Sequence, residues 1–277
     1  MIDTVISTDE FDRIAAILHK ESGIRIPQSK AAMVFARLSK RVRALGLENL
    51  HDYCNLVSDS SGVSERKNMV YALTTNVTKF FREPHHFDHF GAHFASELAP
   101  RLRKGNAIRI WSAGCSTGQE PFSIAAVALA NMADAWRYDF KILATDLDEN
   151  VLNVGRAGRY RTNEIDTLAP EHRPFFSPSG DGFVTCSDEL RRLVTFKTLN
   201  LVDKWPMRVS FDAVFCRNVV IYFDETTQTN LWPRFAGQLC ANGFLYIGHS
   251  ERVSGSARAL FDPVGVTIYQ LKRHRIA

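Results

Sequence analysis

The stretch Ile108–Ala126, IRIWSAGCSTGQEPFSIAA, constrains the fold more than any other. A short apolar run (Ile108, Ile110, Trp111) ends in a glycine-rich turn, Ser112 to Gly118, followed by an acid at Glu120 and a helical run from Pro121. Strand, glycine turn and helix in this order open a nucleotide-binding α/β fold. Glycine lets the backbone approach a ligand closely, and the free N–H groups of the helix start point into the same space. The turn is not GxGxxG, and it lacks the Lys-Ser/Thr pair of a P-loop. A bare turn of a parallel sheet would look the same, so the decision falls to the flanking residues.

A chain of 277 residues with 45% hydrophobic and 23% charged residues can bury a real core, in one large domain or two unequal ones. A net charge of +4 is too small for general nucleic-acid binding. The five cysteines are odd in number, scattered and never spaced as CxxC, so neither a zinc site nor a disulfide framework is expected, and the compartment is reducing. The start, Met-Ile-Asp-Thr, has no basic segment followed by an apolar one, and no apolar run approaches the roughly 20 residues that span a bilayer. A cytosolic protein without membrane insertion is the expectation.

Ser7-Thr8-Asp9-Glu10 reads as a capping box opening a first helix, which Gly23 stops. A second helix, Gln28 to Leu45, has an apolar face at Met33, Val34, Leu38 and Val42, and carries Lys30, Arg37, Lys40, Arg41 and Arg43 on its other faces. That basic stripe is either a solvated face or a docking surface for an acidic partner, whose encounter it would accelerate. Two shorter helices follow, Leu50–Val57 and Glu65–Leu73. Thr74–Glu83, TTNVTKFFRE, keeps neither helical nor strand periodicity. It is a helix end anchored by Phe80 and Phe81, or a segment laid across a cleft with Asn76, Thr78 and Arg82 as polar contacts.

Phe140–Asp146 is a second strand ending in an acid, roughly 30 residues after the turn, which suits a βαβ crossover. An acid there accepts hydrogen bonds from ribose hydroxyls, or caps the helix that follows. From Gly158 to Leu199 the pattern becomes a β-rich insertion: a strong turn at Ser177–Gly182, flanked by short strands at Phe183–Cys186 and Leu193–Phe196. Asn200-Leu201 closes this segment where it could bracket a base. Phe211–Cys216 is a buried strand that delivers Arg217, Asn218 and Tyr222 to the ligand end of the sheet. A turn at Asn242-Gly243, the strand Phe244–Ile247 and a closing antiparallel pair fit S-adenosylmethionine methyltransferases better than NAD dehydrogenases.

Five segments in this order resemble the chemotaxis receptor glutamate methyltransferases, the CheR family, along nearly the whole chain: TTNVTKFFRE, SAGCSTGQEPFSIA, ATDLD, FDAVFCRNVVIYFD and GHSE. The resemblance implies an N-terminal all-helical receptor-docking domain (1–75), a linker contributing to the cofactor site (76–90) and a Rossmann-like α/β catalytic domain (91–277), with a small antiparallel β insertion at about 158–198. It implies S-adenosylmethionine as methyl donor, S-adenosylhomocysteine as product, and glutamates on the cytoplasmic helices of chemoreceptors as acceptors. Matched by motif, Asn76, Thr78, Arg82, Glu120, Asp146, Asn200, Leu201, Arg217 and Asn218 bind the cofactor, and Gly114 lets its methionyl part approach. Arg82 and Tyr222 match residues near the transferred methyl group, and the basic helix with Lys30, Arg37, Lys40 and Arg41 matches the docking helix. In some members the β insertion binds a receptor tail peptide; the turn here is shorter than in those. The expected protein is a cytoplasmic monomer with no metal and no nucleic-acid partner.

Methyl transfer to a carboxylate needs no general base, because glutamate, with a pKa of about 4.3, is already ionised at neutral pH. Rate comes from alignment and from replacing water around two opposite charges. Other readings are an S-adenosylmethionine enzyme for another substrate and a non-catalytic cofactor-binding module. Amine-directed enzymes would prefer Asn/Asp-Pro-Pro-aromatic after the fourth strand, where this chain has Arg217-Asn218-Val219-Val220.

Overall fold

The computed structural model describes residues 6–272, so the Met-Ile-Asp-Thr start lies outside it. The chain forms two compact units. One holds the described residues up to Thr75 together with Tyr222–Thr227; the other holds Asn76–Ile221 and the described residues from Gln228 onward.

The first unit is helical: α1 (Thr8–Ser22), α2 (Ala31–Ala44, preceded by a 3-10 turn at Gln28–Lys30), α3 (Leu50–Ser58) and α4 (Val63–Leu73). The capping box forms as expected. The Ser7 N–H donates to the Glu10 carboxylate at 2.9 Å, and the Glu10 N–H donates to the Ser7 hydroxyl at 3.3 Å. Gly23 ends α1 in the left-handed conformation, φ 73°. Apolar positions at helical spacing, Phe11, Ile14 and Leu18 on α1 and Val34, Leu38 and Val42 on α2, are buried.

The second unit opens with α5 (Pro84–His93), a π-turn (Phe94–Leu98) and α6 (Ala99–Arg103). Thus only Asn76–Glu83 of the expected 76–90 linker is irregular. Next come β1 (Ile108–Ala113), α7 (Gln119–Asn131), β2 (Phe140–Asp146) and α8 (Glu149–Ala157). They are followed by β3 (Arg159–Arg161), β4 (Phe176–Pro178), β5 (Phe183–Cys186), α9 (Asp188–Leu193), β6 (Val194–Thr198) and β7 (Phe211–Cys216). The chain finishes with α10 (Glu225–Gln238), β8 (Leu239–Ile247), β9 (Phe261–Gly265) and β10 (Ile268–Leu271). The seven-stranded sheet has the order β6-β2-β1-β7-β8-β10-β9. Its first five strands are parallel, and β10 and β9 close it antiparallel. The central strands are buried on both faces, hence the continuous apolar runs.

Two expectations change. The strand at Leu193–Phe196 does not belong to the β insertion. As β6 it pairs in parallel with β2 at the edge of the main sheet, and the insertion is the three-stranded sheet β3-β5-β4. Its hairpin joins β4 to β5 through Ser179–Gly182, with the Phe183 N–H on the Gly180 carbonyl at 2.9 Å. A short apolar strand does not itself encode its partner. Asn242-Gly243 lies inside β8, which begins already at Leu239; the chain leaves the β7 ladder there, since Leu239 pairs with Phe211 and Phe244 with Ala213, and Asn242 takes φ 62°. No helix among the described residues is long and apolar enough to cross a membrane.

Candidate active site

The site is built where β1, β2 and β7 end. On the two sides of β1 the order reverses, β2 one way and β7 the other, which is where open α/β sheets bind ligands. After Ala113 the backbone turns through Gly114 (φ 80°), Ser116 (φ 51°) and Gly118 (φ 96°). A Cβ on Gly114 would lie 2.4 Å from a Val219 methyl, and one on Gly118 would lie 2.8 Å from the Tyr160 hydroxyl, so both positions exclude side chains on space and on φ. The N–H groups of Gly114 and Cys115 donate to the Thr145 carbonyl at 2.8 and 2.9 Å. The Asp146 carboxylate accepts the N–H groups of Ser116 (2.8 Å) and Asp148 (3.0 Å). Burial pushes its carboxyl up, and these N–H groups pull the other way. Asp146 therefore braces the turn itself, besides standing at the end of β2.

The irregular segment lies on this turn. The Ser116 hydroxyl donates to the Asn76 carbonyl at 2.9 Å, and the Asn76 amide reaches Asp148 at 3.4 Å. Thr78 is half-buried beyond them. Phe80 is buried edge-on to Tyr160 and Phe176, at 5.0 and 5.1 Å, and Phe81 stacks on His172 at 4.4 Å. The segment is anchored by its two phenylalanines and rests, through Asn76, against the turn that follows β1. Phe81 (φ 51°) and Glu83 (φ 59°) are left-handed, costing about 1–3 kcal/mol each. Arg82 sits between them, its guanidinium on the Val77 carbonyl at 3.1 Å.

The same ring of contacts contains a buried ion cluster. Arg217, 6% exposed, meets Glu120 at 3.1 Å and Glu83 at 3.3 Å, and donates to the Arg82 carbonyl. The Ser112 hydroxyl donates to Glu120 at 2.6 Å. Burial pushes the Glu120 carboxyl up, against the pull of Arg217 and Ser112. Glu83 also accepts the Asn218 amide (3.3 Å) and the His249 N–H (3.3 Å). Burial opposes its ionisation, but Arg217, His249 and Asn218 outweigh it and bring the carboxyl down to about 2. Two carboxylates thus share one guanidinium, and the Arg217 Nε is buried without a hydrogen-bond partner among the described residues.

Glu251 fixes the loop after β7. Its carboxylate accepts four backbone N–H groups: Gly248 (2.5 Å), Val219 (2.9 Å), Asn218 (3.1 Å) and Ile221 (3.3 Å). Asn200-Leu201 follows β6. The Leu199 N–H donates to the Asp146 carbonyl at 2.9 Å, and the Leu201 carbonyl is held by Trp205 (3.1 Å) and Arg234 (2.7 Å). One unit thus brings together Asn76, Gly114, Glu120, Asp146, Arg217 and Asn218, with Arg82 and Asn200-Leu201 bonded to the same framework.

Tyr222 belongs to the helical unit, as do the basic residues of α2. Arg37 donates to the carbonyls of Leu73 (3.0 Å) and Thr74 (2.7 Å), capping α4. Arg41 makes a two-pronged pair with Glu65, 2.9 and 2.7 Å, and Tyr53 donates to the same carboxylate at 2.9 Å. Those two guanidiniums are engaged inside the unit, unlike a freely presented docking stripe. Lys30, Lys40 and Arg43 are the exposed charges of the helix.

Residues 76–270 match the family model described as CheR methyltransferase, SAM binding domain, and residues 9–74 match CheR methyltransferase, all-alpha domain. The chain belongs to the CheR methyltransferase family. It is 48% identical, over 92% of its length and 96% of the relative's, to a probable chemotaxis protein methyltransferase of Rhizobium etli. It is 39% identical to the chemotaxis protein methyltransferase of Salmonella typhimurium (98% and 92% covered) and 38% to that of Escherichia coli (97% and 92%). This CheR methyltransferase uses S-adenosylmethionine as methyl donor and releases S-adenosylhomocysteine. The donor set fits that cofactor: carboxylates for ribose hydroxyls and an ammonium, and a buried guanidinium with an unspent N–H for a carboxylate. Among residues that organise the CheR site, Glu83, Ser112, Ser116 and Glu251 carried no role in the sequence reading. Glu83 and Glu251 close the motifs TTNVTKFFRE and GHSE, and an acid ending a motif was the available signal.

Proposed function

We propose that this CheR methyltransferase esterifies glutamate side chains on the cytoplasmic helices of chemoreceptors, the adaptation step of chemosensory signalling, and that it works as a cytoplasmic monomer. The observation that carries the reading is Arg217, buried between Glu120 and Glu83 beside a glycine turn braced by Asp146. In this reading Asp146 holds the ribose, Glu120 and Arg217 hold the methionyl end, and Asn200-Leu201 brackets the base. Asn76, Thr78 and Asn218 complete the cofactor contacts, and Gly114 provides the close approach. The bound cofactor supplies an electrophilic methyl group on a sulfonium.

Everything else falls to alignment. The acceptor is already an anion, so no proton need be removed. Arg82 positions it: a guanidinium has five N–H donors, and among the described residues one bond, to the Val77 carbonyl, is drawn from it. A full salt bridge to the nucleophile would blunt it. Tyr222 offers an oxygen near the methyl group and keeps water out. Lys30, Lys40 and the exposed side of Arg37 and Arg41 meet the acidic receptor helices.

The test is incubation with methyl-labelled cofactor and chemoreceptor cytoplasmic fragments, followed by mild base. Label released as methanol supports a glutamyl ester. Base-stable label, or none, refutes the reading.

A further inference from the structure

We propose that Tyr160, on the β insertion, is a positioning residue for cofactor binding: it fixes both the glycine turn after β1 and the segment Asn76–Glu83, so that the insertion serves the cofactor site. This rests on the reading that the turn and that segment hold the cofactor. All the residues concerned lie in one unit.

Tyr160 is the middle residue of β3, buried between exposed Arg159 and Arg161 as strand alternation dictates. Its side chain leaves the insertion and meets the turn: the hydroxyl donates to the Thr117 carbonyl at 2.7 Å. The helix that follows cannot serve this carbonyl, because the residue four on is Pro121, which has no N–H. A part-buried carbonyl left without a donor is costly, and Tyr160 supplies the donor. It reaches Thr117 past Gly118, where a Cβ would crowd the hydroxyl. Burial pushes the phenol well up, so it stays a donor at every working pH.

The ring of the same residue holds the other layer. Phe80 packs edge-on against it at 5.0 Å and against Phe176 of β4 at 5.1 Å, and Phe122 of α7 meets it at 6.2 Å. A second tie runs beside the first. The Thr117 hydroxyl donates to the side-chain carbonyl of Gln119 at 2.7 Å, and the Gln119 amide donates to Glu164 at 3.0 Å. Glu164 in turn accepts the Arg161 N–H at 3.0 Å. The turn is thus pinned from two sides, by Asp146 at Ser116 and by Tyr160 and Glu164 at Thr117 and Gln119. Left-handed backbone at Ser116 and Gly118 persists only where the surroundings over-determine it. Once a tie is cut, the cofactor must order the turn at the expense of its own affinity.

The test measures the S-adenosylmethionine Kd by calorimetry on the full-length protein without receptor, well below the melting temperature, beside Tm by calorimetric scanning. Tyr160→Phe keeps the ring against Phe80 and removes the hydroxyl. Glu164→Ala cuts the second tie at a half-exposed position and leaves the core whole. Arg159→Ala, exposed on the same strand, is the control and should leave Kd unchanged. Tyr160→Phe is expected to raise Kd about 5-fold and Glu164→Ala about 3-fold, the effect of single hydrogen bonds. A Tyr160 that only stabilises the fold would lower Tm and leave the Kd of the folded protein where it was. Unchanged Kd in both Tyr160→Phe and Glu164→Ala, whatever their Tm, overturns the proposal, as does an equal rise in Arg159→Ala. Asp146→Asn tests the reading beneath it: wild-type affinity there too overturns the turn as cofactor holder. Weakened binding in Asp146→Asn beside unchanged binding in the two insertion variants overturns the positioning alone.

Discussion

Glu251→Gln isolates what holds the loop after β7. One carboxylate oxygen accepts Val219 and Ile221, and the other accepts Asn218 and Gly248. Glutamine has the same shape but only one oxygen. Whichever way the amide turns, its NH2 faces two backbone N–H groups in a site where Glu251 is 3% exposed. Two hydrogen bonds to a charged acceptor are lost, at about 1.5 kcal/mol each, so destabilisation should be about 3 kcal/mol before donor–donor repulsion is added. For a chain of this size that corresponds to a Tm lower by about 6–12 °C. Calorimetric scanning of wild type and variant measures it. Titration with S-adenosylmethionine should show weakened binding as well, because the loop carries Asn218. A Tm within about 1 °C of wild type would mean that the carboxylate does not carry the loop, and the reasoning would fail.

Arg41→Glu sets a carboxylate against the nearly buried Glu65 and should cost about 3–5 kcal/mol in denaturant unfolding. Reversal of the exposed Lys30 and Lys40 should leave stability unchanged and raise KM for receptor fragments; equal stability losses in both variants would contradict this. Asp146→Asn should raise the cofactor Kd at least about 10-fold, or 1.4 kcal/mol, by calorimetry; wild-type affinity removes its role at the ribose. Acid should weaken the fold from about pH 6.5 downward. Burial holds His86 down to about 3 from 6.5, so the unfolded chain takes up its proton first; Glu83, down to about 2 from 4.5, adds a second loss below pH 4.5. Denaturant midpoints from pH 7.5 to 4 measure the slope, which His86→Gln should flatten between pH 6.5 and 4.5.

By itself the sequence determined whatever is encoded over a few residues. The capping box at Ser7–Glu10, the strand–turn–helix at Ile108–Ala126 and the acid closing β2 follow from side-chain bonding to nearby backbone, from glycine's access to positive φ and from hydrophobic periodicity. Five motif segments sufficed for the family. Tertiary structure decided the rest, because those contacts join residues far apart in the chain. Leu193–Phe196 looked like part of a hairpin because a strand carries no mark of its partner; only the β2 edge made it β6. Arg37 and Arg41 sit among lysines on a helix with a polar face, and only α4 turns them inward. The Arg217 cluster draws on Glu83, Ser112, Glu120 and Arg82, and its charges tolerate burial only once all are assembled. His19 and Asp224, 205 positions apart, meet only because the chain lends Tyr222–Thr227 to the helical unit.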